Sequence, residues 1–194
     1  MSTFILATAN PHKAHEIREV LAPLGFTLLE RPEDVAEVDE SEATLEGNAL
    51  LKARALAQAT GTPAIADDTG LFVDALSGRP GVFSARYAGE GATYADNVAK
   101  LLGELSGTEA SARSARFRTV IAVAYPNGDE FWVDGALSGR ILDVPRGLQG
   151  FGYDPVFVPD ESGGRTLAEL SPEEKNALSH RGRALRAIAT RLKK

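Results

Sequence analysis

The sequence predicts an α/β fold: a mixed β-sheet with helices on its faces, in one domain of two lobes with a substrate cleft between them. Three observations carry this. Strand and helix patterns alternate over the first third of the chain. Asn127-Gly128 stands between two strand patterns, the strongest short hairpin signal. No linker, repeat or low-complexity tract interrupts the 194 residues, a length that suits one domain.

The elements follow in order. Thr3 to Thr8 is apolar and bounded by Asn-Pro, and reads as a short strand. Asn10 suits an N-cap and Pro11 the first helical position. Ala14, Ile17, Val20, Leu21 and Leu24 then recur at helical spacing until Gly25. Phe26 to Leu29 is a second strand, and the acidic stretch after it a loop. A helix runs from Leu45 to Thr60, stopped by Gly61 and Pro63. Pro63 to Ala66 is a short buried strand ending in Asp67-Asp68-Thr69-Gly70, with Leu71 to Val73 as another. Ser77 to Gly91, rich in Gly and Pro, reads as a loop. Tyr94 to Leu105 is a helix with Val98, Leu101, Leu102 and Leu105 inward. Arg116 to Tyr125 and Glu130 to Leu137 form the hairpin, followed by strands near Arg140 to Val144 and at Val156 to Val158. Ser171-Pro172-Glu173-Glu174 is a capping box opening a terminal helical region.

Composition narrows the class. With 21 Lys+Arg against 27 Asp+Glu the net charge is −6, which excludes a protein held to polynucleotides by bulk charge. The absence of cysteine removes disulfides, thiolate zinc sites and a cysteine nucleophile. No apolar run approaches the roughly 20 residues of a membrane span, and no signal-peptide pattern opens the chain. A cytoplasmic protein with no membrane or nucleic-acid partner is expected. The charge is uneven, with eight acids between Glu30 and Glu46, and seven bases but no acid in the last 20 residues. A cation site and an anion site brought together by folding would suit a metal and a polyphosphate. Solvated surfaces would also explain the two runs, and that is how Arg183, Arg186, Arg191, Lys193 and Lys194 are read.

Four motifs carry chemistry. In Thr8-Ala9-Asn10-Pro11-His12-Lys13 a strand turns into a helix whose first-turn N–H groups, with Lys13, Thr8 and Asn10, suit a phosphate chain. In Asp67-Asp68-Thr69-Gly70 two carboxylates follow an apolar strand, and alternation sends one of them into the cleft. Oxygen ligands fit Mg²⁺, and the acidic loop at Glu37, Asp39 and Glu40 offers a second ligand. Gly147 to Asp154 surrounds Phe151 and Tyr153 with glycines, giving close backbone approach, aromatic faces for a base and a carboxylate for ring N–H groups. Lys175 and His180 are five residues apart, about 140° around an unbroken helix. A break at Leu178 or Ser179, with Ser179 capping a new helix that buries Leu185, Ile188 and Leu192, would let them converge.

In this order the motifs resemble the inosine triphosphate/xanthosine triphosphate pyrophosphatase family. The matching segments are Ala7 to Lys13, Glu46 to Ala53, Ala66 to Leu71, Pro80 to Gly89, Gly150 to Pro155 and Glu174 to Arg181, spread over almost the whole chain. The resemblance implies an elongated mixed α/β fold, a homodimer and Mg²⁺-dependent hydrolysis of (d)ITP and XTP to monophosphate and pyrophosphate. It gives Thr8, Ala9, Asn10, Pro11, His12 and Lys13 to the triphosphate. Asp68 becomes the catalytic proton acceptor and a metal ligand, and Thr69 a substrate contact. Asp39 becomes the second metal ligand, with Glu37 as the alternative. Phe151, Gly152, Tyr153, Asp154, Lys175, His180 and Arg181 would hold the purine. The chain departs from the family in Ala9, often Gly or Ser there, in Thr69, often Ser, and in Gly47, often Glu. Gly47, early in a helix, is expected to lower local stability by about 1 kcal/mol relative to Ala.

The implied mechanism has water attack the α-phosphorus while Asp68 takes its proton and Lys13 offsets phosphate charge. O6 of hypoxanthine or xanthine accepts donors from His180, Arg181 or Lys175, whereas adenine's 6-amino group leaves them unpaired. Three other readings remain open: a pyrimidine-preferring pyrophosphatase, a non-catalytic nucleotide sensor, and a nucleic-acid module, which the acidity disfavours.

Overall fold

The computed structural model describes residues 2–36 and 38–193. Among them are seven strands and five α-helices: β1 (Thr3–Leu6), α1 (Pro11–Leu21), β2 (Thr27–Leu29), α2 (Leu45–Thr60), β3 (Ala64–Val73), β4 (Pro80–Gly81), α3 (Tyr94–Glu104), β5 (Ser114–Ala124), β6 (Glu130–Ile141), β7 (Phe157–Pro159), α4 (Pro172–Leu178) and α5 (His180–Leu192). They form one mixed sheet in the order β2-β1-β3-β5-β6-β7, with β4 beside β3. β1 runs parallel to both β2 and β3, with Ile5 opposite Leu29 and Ala64. β4 and β7 are antiparallel to β3 and β6. None of the described helices is long and apolar enough to cross a membrane.

The chain divides into two compact units. The first holds Met1–Asp68, Thr119–Gly135 and His180–Lys194, the second Thr69–Arg118 and Ala136–Ser179. The chain passes between them inside β3, β5 and β6 and at the junction of α4 and α5. Each unit has its own core. In the first, Ile17 and Leu21 of α1 and Leu185 and Ile188 of α5 pack with Phe4, Leu6, Ile65, Ile121 and Val123. In the second, Val98, Leu101 and Leu105 pack with Leu71, Phe117, Leu137, Tyr153 and Phe157. Leu102 is only partly buried there.

Local signals explain the helices. Asn10 caps α1, accepting from the N–H groups of His12 and Lys13. Thr44 caps α2, and Gly61 closes it in the left-handed conformation. Ser171 and Glu174 complete the expected capping box of α4. The break falls at Ser179, whose extended backbone separates α4 from α5. α5 then buries Leu185 and Ile188, and Leu192 in part.

Two strands correct the sequence reading. Asp67 to Gly70 does not end a strand; it lies inside the ten-residue β3, which continues through Leu71 to Val73. The strand near Arg140 likewise belongs to the twelve-residue β6. Polar and glycine residues masked both strands, because their partners come from distant sequence. The loop from Ser77 to Gly91 also contains β4 and a 3-10 turn at Ser84–Arg86. Gly47 has a role that propensity does not show. A Cβ there would meet Glu42 Cβ at 2.7 Å, so glycine lets the acidic loop close over the first turn of α2.

Candidate active site

β3 buries Asp67 and Asp68 in the first unit, at 1% and 4% exposure, just before the strand passes into the second. Adjacent strand residues point to opposite faces, and the two carboxylates meet different helices.

Asp68 faces α2. Its Oδ2 accepts from Asn48 Nδ2 at 3.3 Å, and Lys52 Nζ lies 3.5 Å from its Oδ1. Asn48 and Lys52, four residues apart, share one helix face. Both also hold the acidic loop: the Glu42 N–H donates to Asn48 Oδ1 at 2.9 Å, and Lys52 Nζ reaches Glu40 Oε1 at 2.6 Å. Burial pushes the Asp68 carboxyl up. Lys52 and Lys13 pull against it, Glu40 and Asp67 add to it, and the net shift is upward. Burial opposes the Lys52 ammonium, but Asp68, Glu40 and Asp67 outweigh it and its pKa is raised.

Asp67 meets α1 and α5. Lys13 Nζ lies 3.3 Å from its Oδ2, which also accepts from Arg181 Nη2 at 3.1 Å and Nε at 3.3 Å. Arg181 Nη1 donates to Glu16, one turn beyond Lys13 on α1. Burial would push Asp67 up, yet Lys13, Arg181 and Lys52 hold it well below the usual carboxylate range. The Arg181 guanidinium, 3% exposed and opposed by burial, is held protonated by Asp67 and Glu16. Arg181 is thus the buried clamp between α5, β3 and α1. His180 beside it is 4% exposed, with Nδ1 2.6 Å from Thr119 Oγ1.

At the start of α1 the side chain of Asn10 occupies the N–H groups of His12 and Lys13, and Thr8 Oγ1 accepts from the Asn10 N–H at 3.2 Å. The helix end is therefore already capped, and the charge offered to an anion is that of half-buried Lys13. Ala9, Pro11 and His12 are exposed, and Thr69 is half-buried in β3.

The second unit brings together three of the residues expected at the base, Phe151, Asp154 and Lys175. Asp154 Oδ2 accepts from Lys175 Nζ at 2.6 Å and from the Phe151 N–H at 2.8 Å. Lys175 Nζ also sits 4.6 Å from the centre of the Phe151 ring, and Tyr94 packs 5.9 Å from that ring. Tyr153 is buried and donates to the Ser84 carbonyl at 2.9 Å, so it supports the loop from below. Gly150 makes the turn possible: its φ is +73°, and a Cβ would lie 2.2 Å from Asp154 Oδ2. Gly152 is half-buried at φ +64°.

The metal expectation meets a specific donor set. Asp39 is exposed and makes no hydrogen bond or ion pair among the described residues; Glu37 lies outside them. Glu40 is the loop acid that the fold ties to Asp68, through the Lys52 ammonium between them. No group of three or more His, Cys, Asp or Glu side chains poised for a metal occurs among the described residues. Two carboxylates and no nitrogen or sulfur donor fit Mg²⁺, which takes one or two protein carboxylates and fills the rest with water and phosphate oxygens. Sequence reasoning gave no role to Asn48, Lys52, Glu16 or Thr119. Only the four-residue spacings within α2 hinted at a shared face.

Fold and site together define an α/β protein with a buried carboxylate–lysine cluster in one unit and a glycine-framed aromatic loop in the other. A profile of the Ham1 family matches residues 4–191, and the chain belongs to that family. It is 50% identical to a protein of Geobacter sulfurreducens named dITP/XTP pyrophosphatase, over 99% of this chain and 97% of that one. A Bacillus subtilis protein of the same name is 44% identical over 97% and 96% of the two chains. Among solved structures, a HAM1 protein from Coxiella burnetii superposes with a TM-score of 0.90 at 44% identity, covering 100% of this chain and 99% of that one.

Proposed function

We propose that this chain is a cytosolic, homodimeric nucleoside triphosphate pyrophosphatase. It would hydrolyse (d)ITP and (d)XTP to the monophosphate and pyrophosphate with Mg²⁺, clearing non-standard purines from the nucleotide pool. The observation that carries the reading is the pair Asp67 and Asp68 on β3, each facing a lysine from a different helix. Asp68, with Glu40 on the far side of Lys52, suits a divalent cation and a water, Asp67 anchors Lys13 beside them, and the lysines suit the polyphosphate. The names of the relatives support the substrate class.

Asp68 and Glu40 would hold the metal, with Asp39 a weaker choice because it is exposed. When bound, the metal supplies charge neutralisation on the phosphates and a more acidic water. Asp68 takes the proton of the attacking water, since Asp67 is already engaged by Lys13 and Arg181. Asn48 fixes the Asp68 carboxylate by donating to Oδ2. Lys13 and Lys52 offset the charge of the leaving pyrophosphate. Phe151 would offer a ring face to the purine with Lys175 beside it, and His180, which the resemblance also gives to the base, would offer a donor to its 6-oxo group. Arg181, expected there from the resemblance, serves first as the partner of Asp67 and Glu16.

Product analysis with ITP tests this reading. Pyrophosphate and IMP in Mg²⁺, and no turnover in EDTA, are expected. Release of inorganic phosphate as the first product would overturn it.

A further inference from the structure

Thr119 is a polar residue on an apolar face. It shares one side of β5 with Ile121 and Val123, which pack against Ala184, Leu185 and Ile188 of α5 in the first unit. It is fully buried. Valine has nearly the same shape and suits such a strand better. A buried hydroxyl is costly unless it finds a partner, and here it finds Nδ1 of His180 at 2.6 Å. His180 opens α5 against β6, where Gly135 leaves no room for a Cβ: one would lie 2.3 Å from the His180 carbonyl. Backbone and ring are thus both held at this point.

A neutral imidazole has one donor and one acceptor, and the bond made by one nitrogen sets which proton the other carries. We propose that Thr119 is a positioning residue that donates its hydroxyl proton to His180 Nδ1 and so keeps the ring proton on Nε2. The site then holds a fixed donor for the 6-oxo group of hypoxanthine or xanthine, and a mismatch for the 6-amino group of adenine. This rests on the purine triphosphate reading above; the histidine tautomer can be measured without it.

The protein has three histidines, and the other two, His12 and His15, are exposed on α1. Long-range ¹H–¹⁵N spectra of the ¹⁵N-histidine-labelled protein therefore report His180 separately. The expected result is an Nε2–H tautomer in the wild type, lost in Thr119→Val and kept in Thr119→Ser. The ITP-to-ATP ratio of kcat/KM should fall about tenfold in Thr119→Val, through KM for ITP, and stay near wild type in Thr119→Ser. Thr119→Ala repeats the comparison if the valine variant does not fold. A proton on Nδ1 in the wild type, or an unchanged tautomer and ratio in both hydroxyl-free variants, overturns the proposal. A wild type that hydrolyses ATP as well as ITP contradicts the purine reading instead, and the tautomer still decides whether Thr119 sets the ring.

Discussion

Asp67 and Asp68 are adjacent in β3 yet bound to opposite fates: Asp67 is clamped by Arg181 and Lys13, while Asp68 receives a single amide N–H and a lysine at 3.5 Å. The same burial produces a carboxyl held low in one and pushed up in the other, because the number of close cations differs. The first is held ionised within an ion-pair network; the second is the carboxylate to which the proposed mechanism gives the proton.

Asp68→Asn keeps the shape and the Asn48 contact but removes the proton acceptor. We expect kcat for ITP to fall by roughly 10²–10⁴-fold, with nucleotide binding by calorimetry retained. Near-normal turnover would remove Asp68 from its role.

Asp67→Asn should act on stability. Removing one partner of a buried ion-pair network typically costs about 3–5 kcal/mol, read as a lower urea midpoint. The sign with pH follows from the depressed folded-state pKa. The carboxylate's contribution is complete above the unfolded value of about 3.9 and is lost as pH falls toward the folded one. The gap between wild type and variant should be constant near neutrality and shrink below about pH 4. A gap that widens in acid would contradict this assignment.

Glu40 and Asp39 separate cleanly as metal ligands. Glu40→Gln should raise the Mg²⁺ concentration for half-maximal activity by roughly tenfold or more, while Asp39→Asn leaves it unchanged. The reverse pattern would restore the choice made from sequence spacing.

Gly150→Ala forces a left-handed residue to carry a Cβ against Asp154. A loss of at least about 2 kcal/mol is expected, together with a raised KM as Asp154 leaves the Phe151 N–H. Thermal unfolding and steady-state kinetics would show both.

Much of this was legible in the sequence where the signal is local. The end of α2 follows from Gly61, the hairpin from Asn127-Gly128, and the break before His180 from Ser179 standing ahead of a new apolar helix face. What depends on distant partners was not legible. Asp67 sits mid-strand because Arg181, 114 residues away, neutralises it, and nothing near Asp67 in sequence announces that. Glu40 was one acid of several in a loop until Lys52 picked it out. Arg181 was placed at the purine by its motif, and the fold shows the carboxylates that already hold it.

The carboxylate–lysine cluster is proposed to serve non-standard purine triphosphates. The most direct test is kcat/KM for pyrophosphate release from ITP, XTP, GTP and ATP with Mg²⁺. ITP and XTP should exceed GTP and ATP by about 100-fold or more. Equal rates on all four, or release from none, would contradict the account.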